Sequence, residues 1–174
     1  MSERGFSLIE TLIAVAILGT GLLAGAGLLA AGLQRISNSP RDLIATQKAT
    51  EAIESVFSAR DTHTLTWAQI RNVRGASGTD GGIFLDDPQG LRTAGPDGLI
   101  DTADDGAVEN VRYPGPDQLL GTGDDVVVTL DGFTREIRIR DLQANLRSIT
   151  VIVTYMDGSA TRTYTLTAYV SSFA

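Results

Sequence analysis

The apolar run near the N-terminus constrains this chain more than any other feature. From Thr11 to Leu33 the sequence carries no charged residue, and the run begins directly after the acid Glu10. About 20 apolar residues in an α-helix are enough to cross the hydrocarbon core of a bilayer. An ionisable side chain at the edge of such a segment is costly in lipid and therefore indicates a function. The sequence predicts a membrane-spanning helix in which Glu10 is a functional residue.

A secretory signal peptide is the alternative interpretation of this run. Its apolar region usually covers about 7–15 residues and ends at a small-residue cleavage site. The run here is longer, which favours an anchor, although Ala30-Ala31-Gly32 loosely resembles such a site. The run also contains the pair Gly21 and Gly25, whose spacing lets membrane helices approach closely. A Gly-rich transmembrane composition explains that pair equally well.

The residues around the start of the run resemble a known leader. GFSLIE at residues 5–10, followed by TLIAVAILG, resembles the class III leader of type IV pilins and type II secretion pseudopilins. Residues 17–34, together with 45–56, are most similar to minor-pilin variants. The resemblance implies that a prepilin peptidase removes residues 1–5 after Gly5 and that the new N-terminal Phe6 is methylated. It implies that Glu10 pairs with the terminal amine of a neighbouring subunit. It also implies a single-pass inner-membrane protein that joins other pilin subunits in an extracytoplasmic filament.

The segment after the apolar run predicts more helix. Residues 6–33 form the transmembrane and assembly helix, and apolar residues recur at helical spacing within an amphipathic helix over 34–60. Ser39-Pro40-Arg41-Asp42 has the form of a helix start, so the chain either breaks there or only kinks within one long helix. The pilin resemblance favours the kink.

The C-terminal part, residues 126–174, predicts an antiparallel β-sheet. Apolar and polar residues alternate in four runs, over 126–130, 137–139, 149–155 and 164–170. Asp157-Gly158 between the last two runs is a hairpin signal. Because a sheet with one apolar face needs a cover, we expect an α+β fold of the type IV pilin-like kind. Its long N-terminal α-helix packs on a C-terminal antiparallel β-sheet of about four strands.

Charge is concentrated in the connecting region, residues 61–125, and just beyond it. Between Asp80 and Asp131 the sequence has twelve acidic residues against Arg92 and Arg112, a balance of −10, while the whole chain carries −7. Lys and Arg are not clustered anywhere, so nucleic-acid binding is not indicated. The chain has no cysteine, and its single histidine, His63, lacks the partners of a metal site. Trp67 is interpreted as a packing residue.

The acidic region contains an internal repeat. Residues 95–105 and 115–125 share the pattern GPDxLxxTxDD at a spacing of 20. Calcium favours six to eight oxygen ligands in flexible loops, so the repeat predicts calcium as a cofactor. Solvated Asp/Gly/Pro turns are the alternative. Gly121 stands where the first copy has Asp101, so the second site is expected to be poorer in oxygen. The candidate ligands are Asp97, Asp101, Asp104 and Asp105 in the first copy, and Asp117, Asp124 and Asp125 in the second.

Two functions are consistent with these features. The first is a structural filament subunit, and the second is a membrane-anchored extracytoplasmic domain that binds a ligand through calcium loops without forming filaments. An enzyme is not expected, because the sequence has no cysteine and places no base beside a nucleophile.

Overall fold

The structure, a computed structural model, describes residues 8–173. They divide into two compact units, one ending at Pro40 and one beginning at Arg41, and each unit is described by itself. The described elements are α1 (Leu8–Asp61), β1 (Gln89–Gly90), β2 (Asn110–Tyr113), β3 (Val126–Thr129), β4 (Phe133–Gln143), β5 (Leu146–Asp157) and β6 (Ala160–Ser171).

The described part of the first unit, residues 8–40, belongs entirely to α1. Pro40 lies inside this helix, which continues to Asp61. A proline within a helix removes one backbone hydrogen bond, and here that loss does not end the element. The chain therefore does not break into two helices at Ser39-Pro40. From Leu8 on, both predicted helical segments fall within α1.

The second unit is built around a four-stranded antiparallel sheet with the strand order β1-β4-β5-β6. β5 pairs along its whole length with β6, from Leu146 opposite Ser171 to Asp157 opposite Ala160. The Asp157-Gly158 turn joins them, and Gly158 has φ 60°, a left-handed conformation that glycine adopts without steric cost. The hairpin predicted from this dipeptide is confirmed.

The core of the second unit lies between the sheet and the C-terminal part of α1. Alternate residues of β5 from Arg147 to Tyr155 are buried, as a strand with one covered face requires. The helix contributes mostly small side chains, which allow its backbone to approach the sheet closely. One hydrophobic cluster joins Ala45, Ala49, Ala52, Ile53 and Val56 of α1 to Ile137, Ile139, Ile149, Val151 and Val153 of the sheet. The predicted α+β fold, a helix laid on an antiparallel sheet, is confirmed.

The membership of the sheet differs from the sequence prediction in one strand. β3, expected as one of the four, pairs instead with β2 in a separate two-stranded ribbon, from Asn110 opposite Thr129 to Tyr113 opposite Val126. The fourth position in the sheet is taken by β1, where Gln89 pairs with Arg135. A two-residue strand is too short to show an alternating pattern, so β1 could not be predicted from alternation.

Candidate functional site: the apolar helix and the acidic repeat

The N-terminal part of α1 has the length and composition of a membrane span. Residues Leu8–Ala30 have a mean hydropathy of 2.3 over their most apolar window, and none of that window is buried within the protein. By length and composition this part of the helix is able to cross a bilayer, as a signal sequence also is. Thr20 directs its hydroxyl to the helix backbone, donating to the carbonyl of Ile17 at 2.9 Å. Its polar group is thus satisfied without water.

Glu10 lies in the first turn of described helix, and its side chain is exposed. The apolar residues on both sides are also exposed, with Ile9 at 67% and Leu12 at 64% of their full accessibility. The carboxylate therefore has exposed apolar side chains near it on the helix surface. Gly5 and Phe6, the predicted processing residues, lie outside the described residues.

The two copies of the acidic repeat form the same loop. Each copy has a left-handed residue at its fourth position, Gly98 and Gln118, and another at its seventh, Asp101 and Gly121. Each also closes its first turn in the same way. The amide of Gly98 donates to the Gly95 carbonyl at 3.0 Å, and that of Gln118 donates to the Gly115 carbonyl at 2.9 Å. The sequence repeat is therefore a structural repeat.

The aspartates of both copies hold their loops together through hydrogen bonds within the chain. An Asp carboxylate that accepts nearby backbone N–H groups replaces the regular hydrogen bonds that a loop lacks. Three such bonds recur in both copies. The aspartate at the third position accepts a hydrogen bond from the backbone amide of the fifth residue: Asp97 from Leu99 and Asp117 from Leu119, both at 2.8 Å. The aspartate at the eleventh position accepts from the amide of the seventh residue: Asp105 from Asp101 at 2.8 Å and Asp125 from Gly121 at 2.7 Å. The aspartate at the tenth position accepts from the threonine hydroxyl at the eighth: Asp104 from Thr102 at 2.8 Å and Asp124 from Thr122 at 2.5 Å.

The aspartate at the tenth position of each copy also explains why the first position of the pattern is glycine. A Cβ atom on Gly95 would lie 2.5 Å from the carboxyl carbon of Asp104, and one on Gly115 would lie 2.3 Å from the backbone oxygen of Asp124. Only glycine leaves room for these contacts. In the second copy the Thr122 hydroxyl and the Asp117 amide lower the pKa of Asp124.

The first copy is tied to the sheet by a buried ion pair. Asp101 accepts two hydrogen bonds from the Arg135 guanidinium, at 3.0 Å each, and the side chains are 1% and 0% exposed. Burial raises the pKa of Asp101, and Arg135 opposes that rise. Nearby, Lys48 of α1 pairs with Glu109. Gly121 has no side chain to make the corresponding contact in the second copy.

These contacts determine which oxygens are left for a cation. Asp101 is the residue that gave the first copy more candidate oxygen ligands than the second, and both of its carboxylate oxygens accept hydrogen bonds from Arg135. Among residues 8–173, no three Asp, Glu, His or Cys side chains converge in a way that could hold a metal ion. The acidic loops have one buried carboxylate oxygen without a hydrogen-bond partner in the described chain, Oδ1 of Asp125. The other oxygen of this carboxylate, Oδ2, lies 3.5 Å from Arg112 Nη1. The calcium prediction stays a prediction.

The sequence interpretation missed two buried arginines, Arg135 and Arg147. Both occupy core-facing positions of strands that are otherwise apolar there. A charge at such a position must be paired. An arginine in place of an apolar residue in the alternating pattern of β4 or β5 therefore indicates a buried ion pair, and this signal is present in the sequence. Arg147 pairs with Asp141 at 2.5 Å, and its guanidinium lies 3.9 Å from the centre of the Trp67 ring. The packing role predicted for Trp67 matches this contact.

Comparison with known protein families identifies the N-terminal segment. Residues 1–26 match the family described as the prokaryotic N-terminal methylation motif. The match includes the leader, the predicted methylation residue Phe6, Glu10 and more than half of the apolar run. The recognition of this leader from its residues is confirmed. Comparison with curated proteins and with solved structures gives no match.

Proposed function

We propose that this chain, which carries the prokaryotic N-terminal methylation motif over residues 1–26, is a structural subunit of a type IV-type filament. The motif supports a type IV pilin-like or pseudopilin subunit. The observation that carries the proposal is that the motif coincides with Leu8–Ala30 of α1, a segment long and apolar enough to span a membrane, whose most apolar window is not buried within the protein. Such a helix needs either lipid or other helices around it, and a filament of pilin subunits supplies the second environment after the inner membrane supplies the first.

Processing precedes assembly in this proposal. A prepilin peptidase cleaves after Gly5, and methylation follows on the new N-terminal Phe6. The cleaved chain stays anchored by α1 in the inner membrane with its second unit outside the cytoplasm. It then leaves the bilayer for the filament. The second unit performs no catalysis.

Glu10 is the assembly residue. An exposed carboxylate on an apolar helix is tolerated in a low-dielectric surrounding only when an opposite charge neutralises it. The N-terminal amine of a neighbouring processed subunit supplies that charge. Because this pair joins two subunits, removing the carboxylate affects assembly and leaves the fold of the second unit unchanged.

N-terminal mass spectrometry of the full chain from its native membranes tests the proposal. The expected mature chain begins at methylated Phe6. Glu10→Gln is expected to keep this processing and to abolish incorporation into sheared filaments. Thr20→Val is the matched control, because the Thr20 hydroxyl is satisfied within its own helix. A chain that keeps Met1 or Ser2, or a Glu10→Gln chain that enters filaments normally, would sink the filament proposal.

We also propose calcium as a ligand of the second acidic loop, supported by Oδ1 of Asp125, which is buried without a hydrogen-bond partner among the described residues. A ligand that binds only the folded state raises the melting temperature by mass action. The full chain in detergent, monitored by Trp67 fluorescence, should melt higher with calcium than with EDTA. Asp125→Asn should remove the difference, and Asp131→Asn, an exposed acid outside both copies, should keep it. Equal melting with calcium and EDTA would leave the internal hydrogen bonds as the whole role of the aspartates.

A further inference from the structure

Each copy of the repeat has two apolar residues at its fifth and sixth positions, which are buried in the first copy and exposed in the second. Leu99 and Ile100 of the first copy are 1% and 2% exposed and belong to the hydrophobic core. Leu119 and Leu120, at the equivalent positions of the second copy, are 62% and 65% exposed. The loops that carry these pairs share their turns and their hydrogen bonds. The second copy therefore presents to solvent an apolar pair that the first copy inserts into a core.

The ribbon that carries the second copy is also incompletely covered. β2 and β3 form a two-stranded ribbon, and such ribbons have little stability of their own without a third strand or a packed face. Val126, Val127 and Val128 are 55%, 52% and 42% exposed, although consecutive strand residues point to opposite faces. Both faces of β3 thus expose valine. We call residues 113–128, which hold this loop and most of β3, the second-repeat hairpin.

The charges beside this surface restrict what covers it. Asp117 and Asp124 are exposed within the hairpin, Asp131 is exposed just beyond it, and residues 113–134 contain no Lys or Arg. Like charges brought together at an interface cost free energy. Even with one calcium ion bound, the four acids of residues 113–134 leave this surface with a net charge of −2. An identical hairpin from a second copy would therefore oppose negative charge with negative charge, and a membrane surface of anionic lipids would repel it.

We propose that the second-repeat hairpin docks on a partner protein whose surface is apolar at its centre and carries Lys or Arg at its rim. Leu119 and Leu120 enter the apolar centre, as Leu99 and Ile100 enter the core of their own subunit. Asp117 and Asp124 face the basic rim. Interfaces commonly combine an apolar centre with a polar rim of this kind. The proposal goes beyond filament assembly, because it applies to a protein partner inside or outside a filament.

Site-specific photocrosslinking of the full chain in its native cells tests this proposal. A photoreactive residue, p-benzoylphenylalanine, replaces Leu120 in one variant and Tyr169 in the control. Tyr169, on β6, is exposed to a similar degree at 63%. The expected result is an adduct of one defined mass from position 120 that is absent from position 169. Tandem mass spectrometry should place the crosslink on an apolar peptide flanked by Lys or Arg.

Charge and apolar variants then separate docking from chance proximity. Asp131→Lys reverses an exposed charge beside the hairpin without touching the carboxylates that hold the loop. It should lower the adduct yield several-fold, and added salt should lower the yield in the unaltered chain. Leu119→Ser in the chain that carries the crosslinker at position 120 should remove the adduct without changing the melting temperature. Leu99→Ser, the same change in the first copy, should lower the melting temperature.

Four results overturn the proposal: an adduct with this chain itself, an adduct with lipid, equal yields at positions 120 and 169, or a yield indifferent to the charge variant. None of them depends on the N-terminal processing that tests the filament proposal. A chain correctly cleaved before Phe6 can fail this test, and an uncleaved chain can pass it.

Discussion

The Asp101 carboxylate and the Arg135 guanidinium form a two-point ion pair that is closed to solvent, with both N–O distances at 3.0 Å. Asp101 belongs to the first acidic loop and Arg135 to β4. This pair therefore joins a loop without regular secondary structure to the central sheet. The third guanidinium nitrogen, Nη1, is buried without a hydrogen-bond partner among the described residues, so Arg135 depends on Asp101 for neutralisation.

Asp101→Asn is expected to destabilise the second unit by about 3–5 kcal/mol, because it leaves the buried Arg135 charge without a counter-ion. Guanidinium unfolding of the full chain in detergent, followed by Trp67 fluorescence, measures the loss. Asp131→Asn removes an exposed acid of the same type and is expected to change stability by less than about 0.5 kcal/mol. A loss below about 1 kcal/mol for Asp101→Asn would mean that Arg135 finds another partner.

The first glycine of each repeat is predicted to be required for the loop. Gly115→Ala places a Cβ atom 2.3 Å from the backbone oxygen of Asp124, which forces the backbone or the Asp124 carboxylate to move. We expect a cost of about 1–3 kcal/mol and partial loss of the Thr122–Asp124 hydrogen bond. The same denaturation experiment reports the stability, and amide hydrogen exchange at Asp117 and Gly121 reports the loop.

Gly123→Ala is the control for this prediction. Gly123 lies in the same loop, and a Cβ atom there would have no other atom within 4 Å. The backbone of Gly123 is not in the left-handed conformation, so alanine can adopt it. The substitution is expected to be neutral or to stabilise by about 0.4–1 kcal/mol, since alanine lowers the entropy of the unfolded chain. Equal losses for Gly115→Ala and Gly123→Ala would show that the contact with Asp124 is not what requires glycine.

The helix and the main hairpin could be predicted because their signals are local. The apolar run from Thr11 to Leu33 determines a helix by composition, and Asp157-Gly158 determines a turn by its backbone preference. The helix was predicted to cover the sheet because nothing else in the sequence had a free apolar face. These inferences need only neighbouring residues and one packing rule.

The assignment of β3 could not be made from its sequence. Val126 to Val128 have high strand propensity, but propensity does not select a partner strand. β3 pairs with β2, a segment of only four residues, Asn110–Tyr113, that lies within the acidic connecting region. Strand pairing is a non-local property, and here tertiary context decided it.

The acidic repeat was recognised from sequence, but the roles of its aspartates were not. A spacing of 20 shows that the two loops correspond, and the structure gives them the same hydrogen bonds. Sequence alone does not distinguish a carboxylate that accepts backbone N–H groups from one that awaits a cation. It also does not show that Asp101 reaches Arg135, which lies 34 residues further along the chain.

Arg147 is predicted to be irreplaceable even by lysine. Its guanidinium stacks on Trp67, pairs with Asp141 and donates to the carbonyl of Ile70 at 3.1 Å, all while 1% exposed. Lysine keeps the charge but lacks the planar fork that makes these contacts together. Arg147→Lys is expected to cost about 2–3 kcal/mol, measured by urea unfolding with circular dichroism because the Trp67 signal itself changes.

Arg138→Lys provides the comparison for Arg147→Lys. Arg138 pairs with Glu136 on the same strand, but its side chain is 51% exposed. Exposed ion pairs contribute about 0–1 kcal/mol, so this exchange should alter stability little. If the two substitutions had equal effects, the contacts around Arg147 would not matter beyond its charge.

The contact between Tyr155 and Asp42 predicts how the stability of the second unit changes in alkali. Tyr155 donates its hydroxyl to the Asp42 carboxylate of α1, and its ring stacks on Phe133 at 5.3 Å. Burial and the hydrogen bond to Asp42 raise the pKa of Tyr155 to about 12. An unfolded tyrosine has a pKa of about 10, so the folded state holds this proton more tightly.

The contribution of this proton to stability is therefore complete below about pH 10 and is lost as the pH rises from about 10 to 12. Tyr155→Phe removes the contact, and it is expected to cost about 1–2 kcal/mol near neutral pH. The difference in unfolding free energy between the two chains should shrink as the pH rises through that window, because only the unaltered chain loses the contact. Urea unfolding at a series of pH values measures it. Tyr169→Phe, at an exposed position, should change the free energy of unfolding by close to zero at every pH. A loss of unfolding free energy for Tyr155→Phe that stays constant from about pH 10 to 12 would contradict the prediction.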